Sequence, residues 1–371
     1  MKSRLCYKGL MDILDRLASR CLTLCRIPSV TGEEKEICDH VVTWARAFLP
    51  EEEIIRHGNS LVLGKLPANP DRPVIMLAGH LDTVPPHEGD PPPTREQNRI
   101  TGLGSSDMKS GVTVAMTLFE DLYEKELPYE IVLVLYEREE GPQIESGLRT
   151  LLAELPLLGN VDLAIVLEPT DEAIQIGCLG TIHATVSFQG KSAHSARPWQ
   201  GRNAITAAGD FLSKLHSMKP RIVETAGQVF REVFTVTLAR GGRYPNVVPN
   251  RFDLNLNYRF APGKSLETAK QEILDLVDGR ASVEFVDACP SGSVPWNNPL
   301  FRRLVDITGR DLAPKQAWTD VARLAEAGID ALNFGPGLTA QAHQAGEYCT
   351  IDSLTAAYRD LRLFLETAPA D

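Results

Sequence analysis

Six side chains in this sequence combine the chemistry of metal ligands with positions where the chain is expected to turn. Each follows an apolar run or lies in a loop, and the six are His80, Asp107, Glu139, Glu140, Glu168 and His343. Imidazole nitrogens and carboxylate oxygens suit Zn²⁺, and also Mn²⁺ or Co²⁺. A carboxylate between two ions can bridge them at about 3.5–4 Å. The set therefore predicts a two-metal hydrolase site in which one of two adjacent glutamates is a ligand and the other is the base.

The apolar run at 74–82, VIMLAGHLD, must position the first ligand. We interpret His80 as a metal ligand and Asp82 as the carboxylate that accepts a hydrogen bond from the other ring nitrogen, which fixes the tautomer. The alternative is that His80 ends a strand and Asp82 begins a turn. That alternative would be preferred for an isolated His-x-Asp, but the other five candidates decide against it.

Three apolar segments, at 73–78, 129–136 and 161–167, have the composition of strands buried on both faces of an α/β sheet. A candidate histidine or glutamate follows closely after each of them. Ligands of open α/β sheets bind at the carboxyl ends of the strands. We therefore expect these side chains to meet at one edge of the sheet.

Helices are expected around this sheet. Apolar residues at helical spacing predict helices at 11–24, 111–124 and 351–367. Thr31 followed by Glu34 has the pattern of a capping box, which predicts a further helix from there to about residue 48.

The pattern changes in the second half of the chain. Segments such as 233–239 and 252–260 alternate apolar and polar residues, which is typical of half-exposed antiparallel strands. The order of strands and helices there is that of a split βαβ arrangement. We expect an inserted α+β domain with a ferredoxin-like order of elements at 178–288, within an α/β/α domain formed by 1–177 and 289–371.

Charge and cysteine content exclude several classes of function. The 371 residues carry a formal net charge of −11, which argues against nucleic acid or an anionic membrane surface as a partner. Seven cysteines are scattered without a C-x-x-C motif, as expected for reduced thiols in a cytoplasmic protein. Charged residues interrupt the N-terminal segment, so no signal peptide is expected, and no apolar run reaches the ~18 residues of a membrane span.

Five motifs occur together and in order. They are residues 79–85 (GHLDTVP), 102–111 (GLGSSDMKSG), 139–141 (EEG), 167–170 (LEPT) and 194–198 (HSARP). With them the chain resembles the dinuclear zinc amidohydrolases, a family that includes succinyl-diaminopimelate desuccinylases, acetylornithine deacetylases and related carboxypeptidases. The resemblance covers nearly the whole chain, including the inserted domain. It implies a zinc-peptidase-like α/β/α catalytic domain, with the inserted α+β ferredoxin-like domain as a lid or dimerisation domain.

The resemblance implies two bound Zn²⁺ ions, with Co²⁺ or Mn²⁺ as substitutes, and Asp107 as the bridge between them. His80 and Glu168 would complete the ligands of one ion. Glu140 and His343 would complete those of the other.

The resemblance also implies how the reaction runs. Glu139 would be the general base on the water between the ions and would later protonate the leaving amine, while Asp82 would orient His80. A cis peptide bond is implied after Asp107. His194 of the inserted domain would stabilise the oxyanion of the partner subunit's site, which implies a homodimer.

Three residues are candidates for substrate contacts. Asn246 and Arg323 match family positions near the substrate, and Arg259 ends an alternating strand where it could bind a carboxylate. The alternative for each is a turn residue or a surface ion pair. The expected substrate is a small N-acyl amino acid.

One departure from the family pattern concerns the acyl group. Many desuccinylases carry arginine just before the glycine that enters the inserted domain, whereas Cys178 and Leu179 precede Gly180 here. The surrounding motifs, including residues 317–323 (AWTDVAR), nevertheless resemble the desuccinylase branch typical of actinobacteria. We therefore expect hydrolysis of N-succinyl-LL-2,6-diaminopimelate, in lysine and peptidoglycan precursor synthesis. The alternatives are an acetylornithine deacetylase, a related N-acyl-amino-acid hydrolase or dipeptidase, and a non-catalytic binder, against which the complete ligand set argues.

Overall fold

The computed structural model describes residues 2–66 and 68–368, with side chains from residue 13 onward. The described chain forms two compact units. The second unit consists of Gly177–Ser293 with Pro314–Ala322, and the first contains the rest. The second unit thus covers the segment at 178–288 that we assign to an inserted domain.

The helices of the described chain are α1 (Lys2–Arg26), α2 (Lys35–Ala45), α3 (Lys109–Leu122), α4 (Gly147–Glu154), α5 (Ala204–Ala207), α6 (Gly209–Ser217), α7 (Leu266–Val277), α8 (Pro299–Thr308), α9 (Val321–Glu326) and α10 (Ile351–Glu366). The strands are β1 (Ile54–His57), β2 (Ser60–Leu63), β3 (Val74–His80), β4 (Thr94–Glu96), β5 (Arg99–Thr101), β6 (Glu130–Tyr136), β7 (Leu163–Pro169), β8 (Ile174–Ile176), β9 (Gly180–Gln189), β10 (Arg221–Thr225), β11 (Gln228–Gly241), β12 (Arg251–Phe260), β13 (Ser282–Cys289), β14 (Leu312–Pro314), β15 (Ala331–Gly335) and β16 (Tyr348–Thr350).

The first unit is built on an eight-stranded sheet with the order β1-β2-β6-β3-β7-β15-β8-β14. The strands β6, β3, β7 and β15 run parallel to one another. Every residue of β3, β7 and β15 is buried, as their continuous apolar sequences require. The predicted α/β class is confirmed, and the carboxyl ends of these strands share one edge.

Helix α3 packs directly against this sheet, and a glycine makes the close approach feasible. A Cβ atom at Gly111 would lie 2.0 Å from the carbonyl oxygen of Leu167 in β7, so no other residue fits there without displacing the backbone. The first turn of α3 is therefore held against the end of β7. This contact brings the loop that carries Asp107 next to Glu168.

The predicted capping box at Thr31 is wrong. Helix α2 begins at Lys35, and its N-cap residue Glu34 makes no side-chain capping bond. The Thr31 hydroxyl instead donates to Asp82 Oδ2 at 2.9 Å. A residue with the local signature of a cap is thus used in a tertiary contact, which sequence pattern alone does not reveal.

The second unit contains a five-stranded antiparallel sheet with the order β10-β11-β12-β9-β13. Its core is formed by apolar residues of the sheet and of helices α5, α6 and α7. The helical segment after β9 is interrupted at Ala208 and forms two pieces, α5 and α6. Strand β10 is an edge strand with mostly exposed residues, and for that reason it lacks a clear apolar pattern.

In the part of the chain that the structure describes, no helix is both long enough and apolar enough to cross a membrane.

Candidate metal centre and catalytic site

The candidate ligands of the first unit come together at the carboxyl edge of its sheet. His80 is the last residue of β3, and Glu168 lies near the end of β7. Glu139 and Glu140 follow β6, and Asp107 immediately precedes the cis peptide bond to Met108 and the start of α3. The cis bond is where the resemblance implies it.

Asp107 lies between the two histidines, with one carboxylate oxygen toward each. Its Oδ1 is 3.1 Å from His80 Nε2, and its Oδ2 is 3.6 Å from His343 Nε2. On the first side, Glu168 Oε1 is 3.9 Å from His80 Nε2. On the other side, Glu140 Oε1 is 2.8 Å from His343 Nε2. Asp107 is therefore placed where one residue could serve two metal positions.

Donor atoms cluster within 4.8 Å of one another in three groups of the described residues. His80, Asp107 and Glu168 form the first group, and Asp107, Glu140 and His343 form the second. The third contains Glu139 together with His80 and Glu140. Glu139 thus borders both positions without belonging to either of the groups that share Asp107.

The charges around these groups favour cations. Burial opposes a charge on His80, but hydrogen bonds to Asp107 and Asp82 outweigh it and raise the pKa of His80 well above its ordinary value. The hydrogen bond to Glu140 raises the pKa of His343 to about 9. The site combines two imidazoles with several carboxylates. Their nitrogen and oxygen donor atoms lie close enough together to suit two divalent cations. The residues present therefore fit the metals that the resemblance implies.

Asp82 is fully buried, and its contacts extend beyond His80. His80 Nδ1 is 3.0 Å from the backbone oxygen of Asp82 and 3.5 Å from its Oδ1. The carboxylate also accepts the backbone N–H groups of Glu139 and Glu140, each at 3.0 Å, besides the Thr31 hydroxyl. Asp82 therefore holds the backbone of the candidate base and of one candidate ligand.

Replacing Asp82 with asparagine is expected to weaken metal affinity or turnover about 10–100-fold without preventing folding. The amide nitrogen of asparagine cannot accept a hydrogen bond, so one of the bonds from Glu139 and Glu140 is lost. Metal retention in the presence of a competing chelator, turnover and thermal unfolding measure the three effects. Asp253→Asn is the control, because its carboxylate bonds to the side chains of Ser187 and Arg251 in the second unit. Unchanged metal affinity and turnover in Asp82→Asn would contradict this role.

Two residues near the candidate ligands were not predicted as part of the site. Thr31 contacts Asp82, as described above. Glu347 is 3% exposed and accepts hydrogen bonds from three backbone N–H groups of the loop that contains Asp107. Burial raises the pKa of Glu347 to about 7. Its distance of four residues from His343 was the only available signal, and no motif marked it.

The loop that carries His343 is held by the proline-rich segment after β3. His87 Nε2 lies 3.1 Å from the backbone oxygen of His343, and Asp90 Oδ1 accepts the N–H of Gly346 at 3.0 Å. His343 itself has a positive φ of 59°, an uncommon conformation for a residue other than glycine. These contacts hold the backbone of the loop, while the side chain of His343 is 51% exposed.

The second unit contains three further candidates. His194 and Asn246 are exposed and lie on adjacent segments, because Ser195 N donates to the backbone oxygen of Asn246 at 2.9 Å. Arg259 lies on β12 and is partly buried, and its Nε donates to Asn257 Oδ1 at 3.0 Å. Burial lowers the pKa of Arg259.

The remaining candidate, Arg323, belongs to the first unit. Its side chain is buried, with 4% of the residue exposed, and Nη1 donates to Ser146 Oγ at 2.6 Å. The expected alternative of a surface ion pair is therefore wrong for Arg323.

Comparison with known proteins agrees with the motifs. The model of "Peptidase family M20/M25/M40" matches residues 76–367. A Mycobacterium tuberculosis protein provisionally named succinyl-diaminopimelate desuccinylase DapE is 38% identical over 91% of this chain and 95% of its own. The succinyl-diaminopimelate desuccinylase of Corynebacterium glutamicum is 35% identical over 91% of this chain and 93% of its own.

Solved structures share the fold at low sequence identity. The aminopeptidase PepT of Bacillus cereus has a TM-score of 0.77 at 18% identity, over 95% of this chain and 98% of its own. The Bacillus subtilis YXEP protein, described as a dinuclear metal binding peptidase, has a TM-score of 0.68 at 16% identity, over 96% of this chain and 98% of its own. The family inferred from the motifs is confirmed. This protein is a hydrolase that belongs to peptidase family M20/M25/M40.

Proposed function

We propose that this protein hydrolyses the amide bond of N-succinyl-LL-2,6-diaminopimelate, releasing succinate and LL-2,6-diaminopimelate. The observation that carries the proposal is Asp107, whose two oxygens face two histidines in a site of five candidate ligands. The desuccinylase names of relatives that align over most of the chain support the choice of substrate. The product is a precursor of lysine and peptidoglycan.

Two Zn²⁺ ions are the proposed cofactors, and Co²⁺ or Mn²⁺ would suit the same donors. His80, Glu168 and Asp107 would hold one ion. Glu140, His343 and Asp107 would hold the other. When bound, such ions polarise an amide carbonyl and lower the pKa of a water molecule.

Glu139 is proposed to move the proton. Its carboxylate lies within 4.8 Å of donor atoms of His80 and Glu140, so it borders the place where the reacting groups must meet. Its backbone is fixed by the bond to Asp82 Oδ1. Glu139 would take a proton from the attacking water and give it to the nitrogen of the leaving amine.

His194 is proposed to donate a hydrogen bond to the oxyanion that forms at the substrate carbonyl. The backbone N–H of Ala196 donates to His194 Nδ1 at 3.0 Å. In the neutral ring the proton therefore resides on Nε2, which leaves Nε2–H as the donor. We infer that His194 acts in the site of the other subunit of a homodimer.

The surface of the second unit supports the proposed homodimer. Trp199, Leu238 and Tyr244 are 77%, 56% and 66% exposed, and they belong to the same unit as His194. Contiguous exposed apolar patches mark interaction surfaces, and these side chains would contribute to such a patch. We therefore propose that copies of this chain associate through the second unit.

Substrate contacts are proposed for three residues. Arg259, held through Nε by Asn257, would present its planar guanidinium to a substrate carboxylate. Asn246 would contact the substrate from the loop beside His194. Arg323 would act from within the first unit, where Ser146 orients it.

A cytoplasmic location is also proposed, and the free buried cysteines among the described residues support it.

A substrate panel tests the proposed function. Zn²⁺-supplemented protein would be assayed with N-succinyl-LL-2,6-diaminopimelate, N-acetylornithine and dipeptides. We expect the highest kcat/KM with the succinyl substrate. A higher value with N-acetylornithine or a dipeptide would instead assign the protein to the deacetylases or dipeptidases.

Replacing His194 with glutamine is expected to lower kcat about 10²–10³-fold, as for loss of one oxyanion donor. KM and metal content should change little. His216→Gln, an exposed histidine of the same unit, is the matched control.

Mixing His194→Gln with Glu139→Gln protein tests whether His194 acts in the other subunit. In a mixed dimer one site would then contain both an intact Glu139 and an intact His194. Random exchange of subunits should restore about a quarter of the wild-type activity. Mixed dimers without activity would contradict the role across subunits.

A further inference from the structure

The carboxylate of Glu347 holds the loop that carries Asp107. Glu347 Oε1 accepts the backbone N–H groups of Ser106 at 2.6 Å and Asp107 at 2.8 Å. Its Oε2 accepts the N–H of Gly104 at 2.8 Å. The backbone oxygen of Glu347 also accepts the N–H of Gly102 at 2.9 Å. Four hydrogen bonds thus connect one residue to a single loop.

Burial of the Glu347 carboxylate would be unfavourable without the hydrogen bonds to the loop. Glu347 is 3% exposed, and removing a carboxylate from water is strongly unfavourable unless hydrogen bonds replace the lost hydration. Three backbone N–H groups converge on the carboxylate and replace this hydration, as backbone N–H groups do in anion-binding sites. The carboxylate therefore determines the conformation of residues 104–107.

Glu347 also connects the two segments that carry metal ligands. It follows His343 by four residues and immediately precedes β16, which pairs with β5 just before the Asp107 loop. The Ser106 hydroxyl reinforces the connection, because it accepts from Leu338 N and donates to Leu338 O, both at 3.1 Å. The loops of Asp107 and His343 are thereby joined although they are distant in sequence.

We propose that Glu347 is a positioning residue that sets the direction of the Asp107 carboxylate relative to His343, and thus the affinity of both metal positions. The inference rests on the proposed two-metal site. Glu347 does not touch substrate or metal in this scheme. It acts through the backbone N–H of Asp107, whose side chain faces both histidines.

Glu347→Gln and Glu347→Asp test the proposal. The glutamine amide retains one accepting oxygen, so either Gly104 or the pair Ser106 and Asp107 loses its partner. Aspartate keeps the charge but is one methylene shorter, so it cannot reach all three N–H groups. The aspartate variant also provides a second measurement if the glutamine variant does not fold.

Metal binding is the decisive measurement. Purified wild-type and variant proteins would be stripped of metal and titrated with Zn²⁺ against a chromophoric chelator, and the visible absorption of the Co²⁺-loaded proteins would be recorded. We expect the Zn²⁺ dissociation constant to rise about 10–100-fold in both variants, with an altered Co²⁺ spectrum. The metal-induced increase in unfolding temperature should shrink accordingly.

Glu232→Gln is the matched control, because Glu232 is also 3% exposed and accepts a backbone N–H, from Ala261 at 2.9 Å, in the second unit. It should lower the unfolding temperature without changing Zn²⁺ affinity or the Co²⁺ spectrum. Glu347 variants that behave like this control would overturn the proposal and leave Glu347 a structural residue. Wild-type protein that fails to bind two ions would instead refute the proposed metal site.

Discussion

Glu139→Gln is expected to abolish measurable hydrolysis while both metal positions keep their ions. The side chains have nearly the same size, but the amide can neither accept the proton of the attacking water nor deliver it to the amine. General acid–base catalysis contributes about 10²–10⁴-fold, so kcat should fall by at least that factor. Turnover of N-succinyl-LL-2,6-diaminopimelate and metal content per subunit measure the two parts of the prediction.

Glu137→Gln is the control for this prediction, because Glu137 lies in the same loop, accepts the backbone N–H of Asn59 at 3.0 Å and belongs to none of the three donor groups described above. Its replacement should leave kcat nearly unchanged. Near-wild-type turnover in Glu139→Gln would show that another group moves the proton. Loss of one metal in Glu139→Gln would instead make Glu139 a ligand.

Asp107→Ala is the substitution expected to damage metal binding most. The two carboxylate oxygens face different histidines, so a single truncation removes a ligand from both positions. The loss of affinity should exceed the ~10–100-fold that is typical of residues that only orient ligands. Zn²⁺ titration of the stripped protein should show that both binding steps are weakened, and hydrolysis should be lost.

Glu168→Ala provides the comparison for Asp107→Ala. Glu168 belongs to only one of the two groups that share Asp107, so its truncation should weaken one binding step and leave the other close to that of the wild type. If Asp107→Ala also weakened only one step, Asp107 would not be a bridging ligand.

The central strands were predictable because their burial leaves a direct trace in the sequence. β3, β6 and β7 are nearly continuous apolar runs, and the polar residue at the end of each run is conspicuous. Their parallel pairing then brings the ends together, so the positions of His80 and Glu168 follow from the fold.

The strands and site residues that the sequence did not predict depend on partners far away in the chain. β4, β5 and β16 are three-residue strands whose pairing is set by tertiary context and not by intrinsic preference. Thr31 and Glu347 act by hydrogen bonds to a carboxylate or to backbone N–H groups. Such bonds leave no periodicity in the chain, and only the folded structure reveals them.

Asp107 belongs to both groups of candidate ligands, and the positions of the other ligands in the chain determine which group is synthesised first. His80, Asp107 and Glu168 all precede the second unit, whereas His343 and Glu347 follow it. A ribosome adds roughly 5–20 residues per second. Translation of His343 therefore follows that of Glu168 by on the order of ten seconds or more. One proposed metal position would therefore have all its protein ligands on the nascent chain well before the other, which has to wait for His343.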